Sequence, residues 1–470
     1  MNLKSLLSKK KYISIPQILK KMNKVFEENG YKAYLVGGAV RDIFLNKEPS
    51  DYDVATNATP QDVMRIFKFV VPTGFEHGTV TVHFLNEEIE VTTFRTETGY
   101  SDGRHPDSVN YAATIEEDLS RRDFTMNAIA VDLKDGKVVD PYKGQKDIKR
   151  KIIRTVGVPK ERFLEDGLRP IRAIRFSSQL KFCIENKTYS EIFQQDVLKK
   201  IQSISVERFR DEFLKIMKSE IPSYGLKLLE ECKILDFFIP ELITGRNCIQ
   251  SDDRGYHVFD VLDHNYYACD GAPKDKPLVR IAALLHDVGK AETKTVHNEQ
   301  GATIYHFYNH EKASAKIAQT VLTRLKFSNA EIETVCHLIE NHMFHYESTW
   351  KDSAIRRFIV KIGIENIPDL IDLRLADMYG KYNQSVRLHD SPACDLLIEF
   401  QERIAKISEE KAALSLKDLA VNGRDLMSAG IPAGKEIGRI LNELFECVLE
   451  DPAMNTKEKL MDVALKINQQ

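Results

Sequence analysis

LVGGAVRD, residues 35–42, followed by Asp51-Tyr52-Asp53, decides how the first part of the chain is read. Upstream of it, YKAYLV (Tyr31–Val36) is a short, mostly apolar and aromatic run that meets Gly37-Gly38. That pattern predicts a buried strand entering a tight turn. Two glycines there let the backbone approach a phosphate closely. Arg41, in the helix expected to follow, supplies a guanidinium that neutralises phosphate charge. Asp51 and Asp53 are two apart, so on a strand they point to one face. Converging carboxylates suit Mg²⁺, which takes hard oxygen ligands and shares them with substrate phosphates. Such ions activate an attacking hydroxyl and stabilise a phosphate leaving group. Glu90, in the expected strand IEVTTF, is a third candidate acid. Taken singly, Gly-Gly reads as a plain turn and Asp-x-Asp as a loop edge. Strand, Gly-Gly, Arg and Asp-x-Asp in that order point instead to phosphate chemistry.

Working outward, Val80–Phe84 and Ile89–Phe94 cluster β-forming residues. Val131–Leu133 and Val138-Val139 flank Asp135-Gly136, a hairpin signal. From Glu161 onward long amphipathic patterns dominate, including Phe209–Met217 and Ile317–Leu325, and nearly everything after about residue 155 is expected to be helical. Ser205-Val206-Glu207 resembles a helix start with an early acid. Polar stretches at Thr244–Tyr256 and Lys381–Pro392 mark breaks. The expected fold class is an α+β head with a mixed sheet and helices, followed by all-α segments. The expected boundaries are 1–150, 151–245, 246–385 and 386–470.

At 470 residues the chain exceeds one ordinary core. Net charge is −3, so any nucleic-acid contact must come from basic residues gathered on one face. Seven cysteines lie between Cys183 and Cys447 without a Cys-x-x-Cys pair. They read as reduced thiols, which places the chain in the cytoplasm. Met1–Pro16 is Lys-rich without the apolar core of a signal peptide, and no apolar run is long enough to span a membrane.

These motifs resemble the class II tRNA nucleotidyltransferase (CCA-adding enzyme) and bacterial poly(A) polymerase family. Besides LVGGAVRD and Asp51-Tyr52-Asp53, the resemblance rests on Arg121-Arg122-Asp123-Phe124-Thr125-Met126-Asn127-Ala128. It rests also on Gly99–Val109, similar to the family's flexible loop, and on SVERFRDEFLK (Ser205–Lys215). It implies tRNA, CTP and ATP as partners, with no DNA and no membrane. It also implies Mg²⁺ on Asp51 and Asp53, and nucleotide contacts from Gly37, Gly38, Arg41, Arg122, Arg172 and Arg175. Glu97–Val109 is full length, which argues against a product that stops at CC. Full CCA addition, addition of the terminal A alone and poly(A) synthesis all stay open.

EDGLRPIRAIRF (Glu165–Phe176) resembles the family's nucleotide-reading motif. On a helix, Asp166 and Arg169 are three apart and share a face. Asp accepts hydrogen bonds and Arg donates them. Cytosine and adenine each present an exocyclic amine beside a ring-nitrogen acceptor, so one such pair satisfies both. Uracil and guanine present the opposite pattern, and leaving buried polar groups unpaired rejects them. Pro170 sits badly inside a helix, so the helix is expected to start or kink there.

Histidines crowd the third segment: His257, His264, His286, His297, His306, His310, His337, His342 and His345. At their centre is LLHDVGK, with His286 and Asp287 adjacent. An adjacent His-Asp in an apolar helix carries a desolvation cost that a bound metal offsets. The donor set suits several divalent transition metals. The stretch resembles the HD phosphohydrolase family. By that resemblance His264, His286, Asp287 and Asp377 are metal ligands, and His310 and His342 are the extra ligands of members that bind two metals. His257 competes with His264 for the first position. Arg280 and Lys290 stand nearby in sequence as phosphate holders. The resemblance implies 2′,3′-cyclic phosphates and 2′-nucleotides as substrates. A rival reading is a phosphohydrolase whose inactive head only recruits RNA; another is an RNA-binding protein with both sites inactive. In the tail, Ala420–Gly438 resembles the family's tRNA-contacting region through glycine-bounded helix starts, and reads equally as a capped helical hairpin.

Overall fold

The computed structural model describes residues 11–98, 108–251, 258–299, 302–382, 392–409 and 413–468. Residues 99–107, which hold most of the loop resembling the family's flexible loop, and His257 lie outside the described residues. The chain divides into two compact units, Met1–Phe238 and Ile239–Gln470.

The first unit is built on a mixed seven-stranded sheet. Its strands are β1 (Ala33–Val36), β2 (Tyr52–Thr56), β3 (Val70–Gly74), β4 (Thr79–Phe84) and β5 (Glu87–Thr93), then β8 (Ala130–Asp132) and β9 (Val138–Val139). A separate pair, β6 (Arg95–Thr98) and β7 (Ser108–Tyr111), lies between them in sequence. The sheet order is β3-β4-β5-β2-β1-β8-β9. Strand β1 lies inside the sheet between β2 and β8 and is buried along its whole length, as its apolar sequence requires. The expected hairpin is present as antiparallel β8 and β9. Strand β5 alternates: Ile89 and Val91 face the core while Glu90 is exposed, the period-2 pattern of a half-buried strand. Leu19, Met22 and Phe26, spaced at helical intervals on the helix Gln17–Glu28, pack into the same core as Val54, Val80, Ile89 and Val91.

Beyond the sheet the first unit is helical, with Leu168–Leu180 and Val206–Met217 packed together. Ser205 is the N-cap of Val206–Met217, but its side chain makes no capping bond. Nearly everything after residue 155 is helical, as expected, with strands at two places. Cys183–Ile184 (β11) pairs in parallel with Ile152–Ile153 (β10). In the second unit, Lys294–Glu299 (β12) and Ala302–Phe307 (β13) form an antiparallel hairpin. Their Thr, Val, Ile, Tyr and Phe content is β-forming. The polar residues among them masked that signal.

The rest of the second unit is helical. Val261–Gly271, Pro277–Leu285, His310–Arg324, Asn329–Asn341 and Ile367–Tyr382 form its central group. The tail helices Gly423–Ser428, Lys435–Glu450 and Lys457–Asn468 share a core of Val421, Leu426, Ile440, Leu444, Val448 and Leu460. Asn422 caps the first of them in a capping box with Asp425. Among the described residues, no helix is long and apolar enough to cross a membrane. Among the described residues no two cysteines form a disulfide.

Candidate functional site

Gly37 ends β1 and opens the helix Gly37–Phe44 with φ +69°. A Cβ there would stand 3.0 Å from Asp53 Oδ2 and 3.3 Å from Arg122 Nη1. The position therefore demands glycine twice, for its left-handed backbone and for its closeness to a carboxylate. Asp53 on β2 is in register with Glu90 on the parallel strand β5. Glu90, the third candidate acid, is thus the direct neighbour of Asp53 on the sheet. Asp51 precedes the strand, exposed, and accepts a hydrogen bond from Ser50. Burial, then the charges of Glu90 and Asp51, push the Asp53 carboxyl up to about 6, against the opposing pull of Arg122. Burial and the neighbouring carboxylates disfavour the ionised form of Asp53, a cost that a cation beside them offsets. These residues fit a hard divalent metal such as Mg²⁺.

Asp53, Glu90, Arg122, Asp166, Arg169 and Arg172 line one cavity of about 330 Å³. Arg95, Arg121, Asp123 and Arg208 line it too. Buried Asp118 holds Arg121 at 2.8 Å and Arg122 at 3.3 Å. Arg172 places Nε and Nη2 at 2.9 and 2.8 Å from Asp123 Oδ2. Burial alone would raise Asp123, but Arg172 and the Asn127 amide bring it down to about 2. Arg41 bonds Asp42 and, at 3.2 Å, Asn127.

The expected Asp166–Arg169 pair on one helical face is not formed. Asp166 is the extended C-cap of the helix Pro159–Glu165, while Arg169 lies in the first turn of Leu168–Leu180. Pro170 therefore occupies a first turn, where it costs no hydrogen bond. Gly167 separates the two helices, and any side chain there would run into Lys200 O. Asp166 Oδ1 accepts from Leu168 N at 2.9 Å, and its Oδ2 accepts from Arg208 at 2.7 Å. Arg169 donates to Glu165 at 2.7 Å and to the carbonyl of Arg121 at 2.9 Å. Both nevertheless face the same cavity.

Arg175, expected to bind nucleotide, is not in the cavity wall. It is buried, pairs with Glu212 at 2.7 Å and lies 3.5 Å over the Phe176 ring. Arg208 and Asp123, which line the cavity, and Asp118 and Glu212, which pair with its arginines, are not among the residues singled out from the sequence. Glu212 left a signal in the sequence: an acid on the apolar face made by Phe209, Phe213 and Ile216 needs a buried cation.

In the second unit, His264, His286, Asp287, His310, His342 and Asp377 are all buried and converge. His264 Nε2 lies 3.1 Å from His286 Nε2, 3.3 Å from Asp287 and 3.4 Å from Asp377. His310 Nε2 lies 3.2 Å from Asp287 Oδ1, and His342 Nε2 lies 3.8 Å from it. His286, His310 and His342 donate Nδ1–H to the carbonyls of Ala283, Phe307 and Ile339 at 2.8, 2.7 and 2.7 Å. A carbonyl only accepts, so Nδ1 carries the hydrogen in each ring. Nε2 points a lone pair inward in neutral His286 and His342, whereas at His310 burial is outweighed by Asp287, which pulls it toward its protonated form. Burial and neighbouring His286 hold His342 down at about 3, which keeps it neutral. Imidazole nitrogens and carboxylates packed together are a donor set that could hold a metal ion. Two groups have ligand atoms within 4.8 Å of one another: His264, His286 and Asp287, and Asp287, His310 and His342. Lys290 bonds Asp287 at 2.6 Å. Arg280 is buried, donates to Ala272 O at 3.0 Å and is not in the wall of the cavity beside the cluster. Lys290 lines the cavity, together with Arg374 and Lys381.

The sheet, the acids at the Gly37 turn and the arginine-lined cavity define the first unit as a nucleotidyltransferase head. Family comparison agrees: a "Poly A polymerase head domain" matches residues 33–154. A "Probable RNA and SrmB- binding site of polymerase A" matches residues 181–244. The CCA-adding enzyme of Lactobacillus johnsonii is 33% identical over 95% of both chains. That of Ligilactobacillus salivarius is 32% identical over 97% of this chain and 98% of its own. The crystal structure of the Bacillus stearothermophilus CCA-adding enzyme in complex with CTP is similar at TM-score 0.71 and 28% identity, covering 96% of this chain and 97% of that one. The chain belongs to the CCA-adding enzyme family.

Proposed function

We propose that this chain adds C and A nucleotides to the 3′ end of tRNA without a template, taking CTP and ATP into the head cavity. The observation that carries this reading is one cavity with carboxylates at the Gly37 turn, arginines in its wall and the Asp166–Arg169 reading groups. Asp51, Asp53 and Glu90 hold Mg²⁺, which when bound supplies charge neutralisation for the attacking hydroxyl and the departing pyrophosphate. Arg122 and Arg172, braced by Asp118 and Asp123, hold the triphosphate. Gly37 and Gly38 let the backbone close on it, and Arg41 steadies Asn127 beneath Asp123. Asp166 accepts the exocyclic amine shared by cytosine and adenine, and Arg169 donates to the ring nitrogen. Related proteins of this family solved with CTP, with ATP and with tRNA support the choice of partners.

The test uses purified chain, Mg²⁺, labelled CTP or ATP, and tRNA transcripts ending before CCA, after C and after CC. Stepwise growth to CCA and then arrest is expected. One A added only to the CC-ended transcript would make it an A-adding enzyme, and long A tails a poly(A) polymerase. No incorporation would overturn the transferase reading.

The second cluster favours a further activity, phosphoester hydrolysis by an HD-type site. Asp287 belongs to both ligand groups, so it would be a ligand whichever of them held a divalent ion. Metal bound there supplies a water of lowered pKa. His286, His310 and His342 are fixed by their backbone carbonyls with Nε2 inward, as ligands must be. Metal analysis of the purified chain, with hydrolysis of adenosine 2′,3′-cyclic phosphate, checks this. A metal-free, inert chain would overturn it.

A further inference from the structure

Strand β13 and the turn after it bring Tyr305, His306, Phe307 and Tyr308 to the wall of the second cavity, about 300 Å³ in volume. The rings of His306 and Tyr308 are parallel, at 6° with centroids 5.1 Å apart. His297 on β12 meets His306 edge-on at 5.0 Å and 81°, which steadies it. Tyr308 is 65% exposed, so it is not part of the core. The same cavity holds His286, Asp287, His310, His342 and Asp377, together with Arg374 and Lys381. Arg374 spends Nη1 on Asp377 at 2.9 Å. A guanidinium has five N–H donors, so it can still meet an anion. Flat rings, imidazole nitrogens and the basic side chains of Lys290, Arg374 and Lys381 thus share one small space. A phosphate alone needs only the last two. The rings make sense when the ligand carries a flat aromatic group of its own, as nucleobases do.

We propose that the His306–Tyr308 stack is a nucleobase platform, so that the second site takes a nucleoside phosphate, free or at an RNA end. This rests on the cluster being a hydrolytic metal site. Base stacking on the ring pair orients the phosphate toward the His and Asp groups, and Arg374 and Lys381 neutralise it. The platform is blind to base identity, because every base has a stacking face.

Isothermal titration tests it on the full chain carrying Asp166→Ala and Arg169→Ala, which removes base reading from the head. The probes are AMP and ribose 5-phosphate. AMP is expected to bind about 5- to 150-fold tighter. Tyr308→Ala should abolish that preference and Tyr308→Phe should keep it. Equal binding of the two probes, or a preference unchanged in Tyr308→Ala, overturns the platform. Bound metal and hydrolysis of adenosine 2′,3′-cyclic phosphate are read in parallel. If both persist without a base preference, the platform alone falls. A Tyr308-dependent preference without metal or hydrolysis upholds the platform and overturns the hydrolytic reading. A trinucleotide with a 2′,3′-cyclic phosphate end, run beside the mononucleotide, separates an RNA end from a free nucleotide.

Discussion

Asp53 sits between two demands. Burial and the charges of Glu90 and Asp51 raise its carboxyl to about 6, yet metal binding needs it ionised. A raised carboxyl keeps its proton in the folded chain at pH values where the unfolded chain has lost it. The metal-free head therefore loses stability as pH rises from about 4 to about 6. Below about 6, Mg²⁺ must displace that proton, so its apparent affinity should fall roughly tenfold per pH unit. Titrating Mg²⁺ calorimetrically between pH 5 and pH 8 checks this, and Glu90→Gln should move the break to lower pH. Asp166 is the second residue-scale case. It is held at 2.7 Å by Arg208 rather than by Arg169. Asp166→Ala should cut discrimination against UTP and GTP by about 10- to 100-fold, the worth of a charged hydrogen bond. Single-turnover incorporation of each nucleotide reads the ratio, and unchanged ratios would remove Asp166 from base choice.

At the scale of elements, the helix Val206–Met217 works as a bracket. Arg208 grips Asp166, and one turn on Glu212 grips Arg175 at 2.7 Å and stands 3.8 Å from Arg172. The base-reading groups thus depend on an element outside their own motif. Glu212→Ala would leave Arg175 buried without its anion, a loss of about 3–5 kcal/mol. Urea unfolding should show the lower midpoint, and an unchanged midpoint would show that Phe176 and Gln179 suffice for Arg175. The hairpin of β12 and β13 is a second instance. It interrupts the helices to place aromatic rings beside the cluster, and His310 starts the next helix three residues after β13 ends.

Across the whole molecule, the two sites lie in different compact units. Each has its own acids and its own cavity. Their chemistries should separate by mutation. Asp53→Ala should abolish nucleotide transfer and leave hydrolysis of adenosine 2′,3′-cyclic phosphate intact. His286→Ala should do the reverse. Parallel assays of both variants are the check, and loss of both activities in either one would mean the sites are coupled.

The sequence by itself determined whatever depends on local order. The turn at Gly37, the strands around it, the hairpin at Gly136 and the His286-Asp287 doublet were legible because each is a short run with a strong backbone or chemical preference. Tertiary structure alone decided which side chains meet. Asp53 gains Glu90 from a parallel strand 37 positions away. Asp166 gains Arg208, and Arg175 leaves the cavity for Glu212. The helix start just before Pro170 was legible in the sequence, but the need for glycine at 167 follows from the closeness of Lys200 O, which no window around residue 166 contains. The hairpin of β12 and β13 went unseen because polar residues interrupt its β-forming pattern. Local propensity reads neighbours along the chain, whereas charge pairing and close approach depend on neighbours in space.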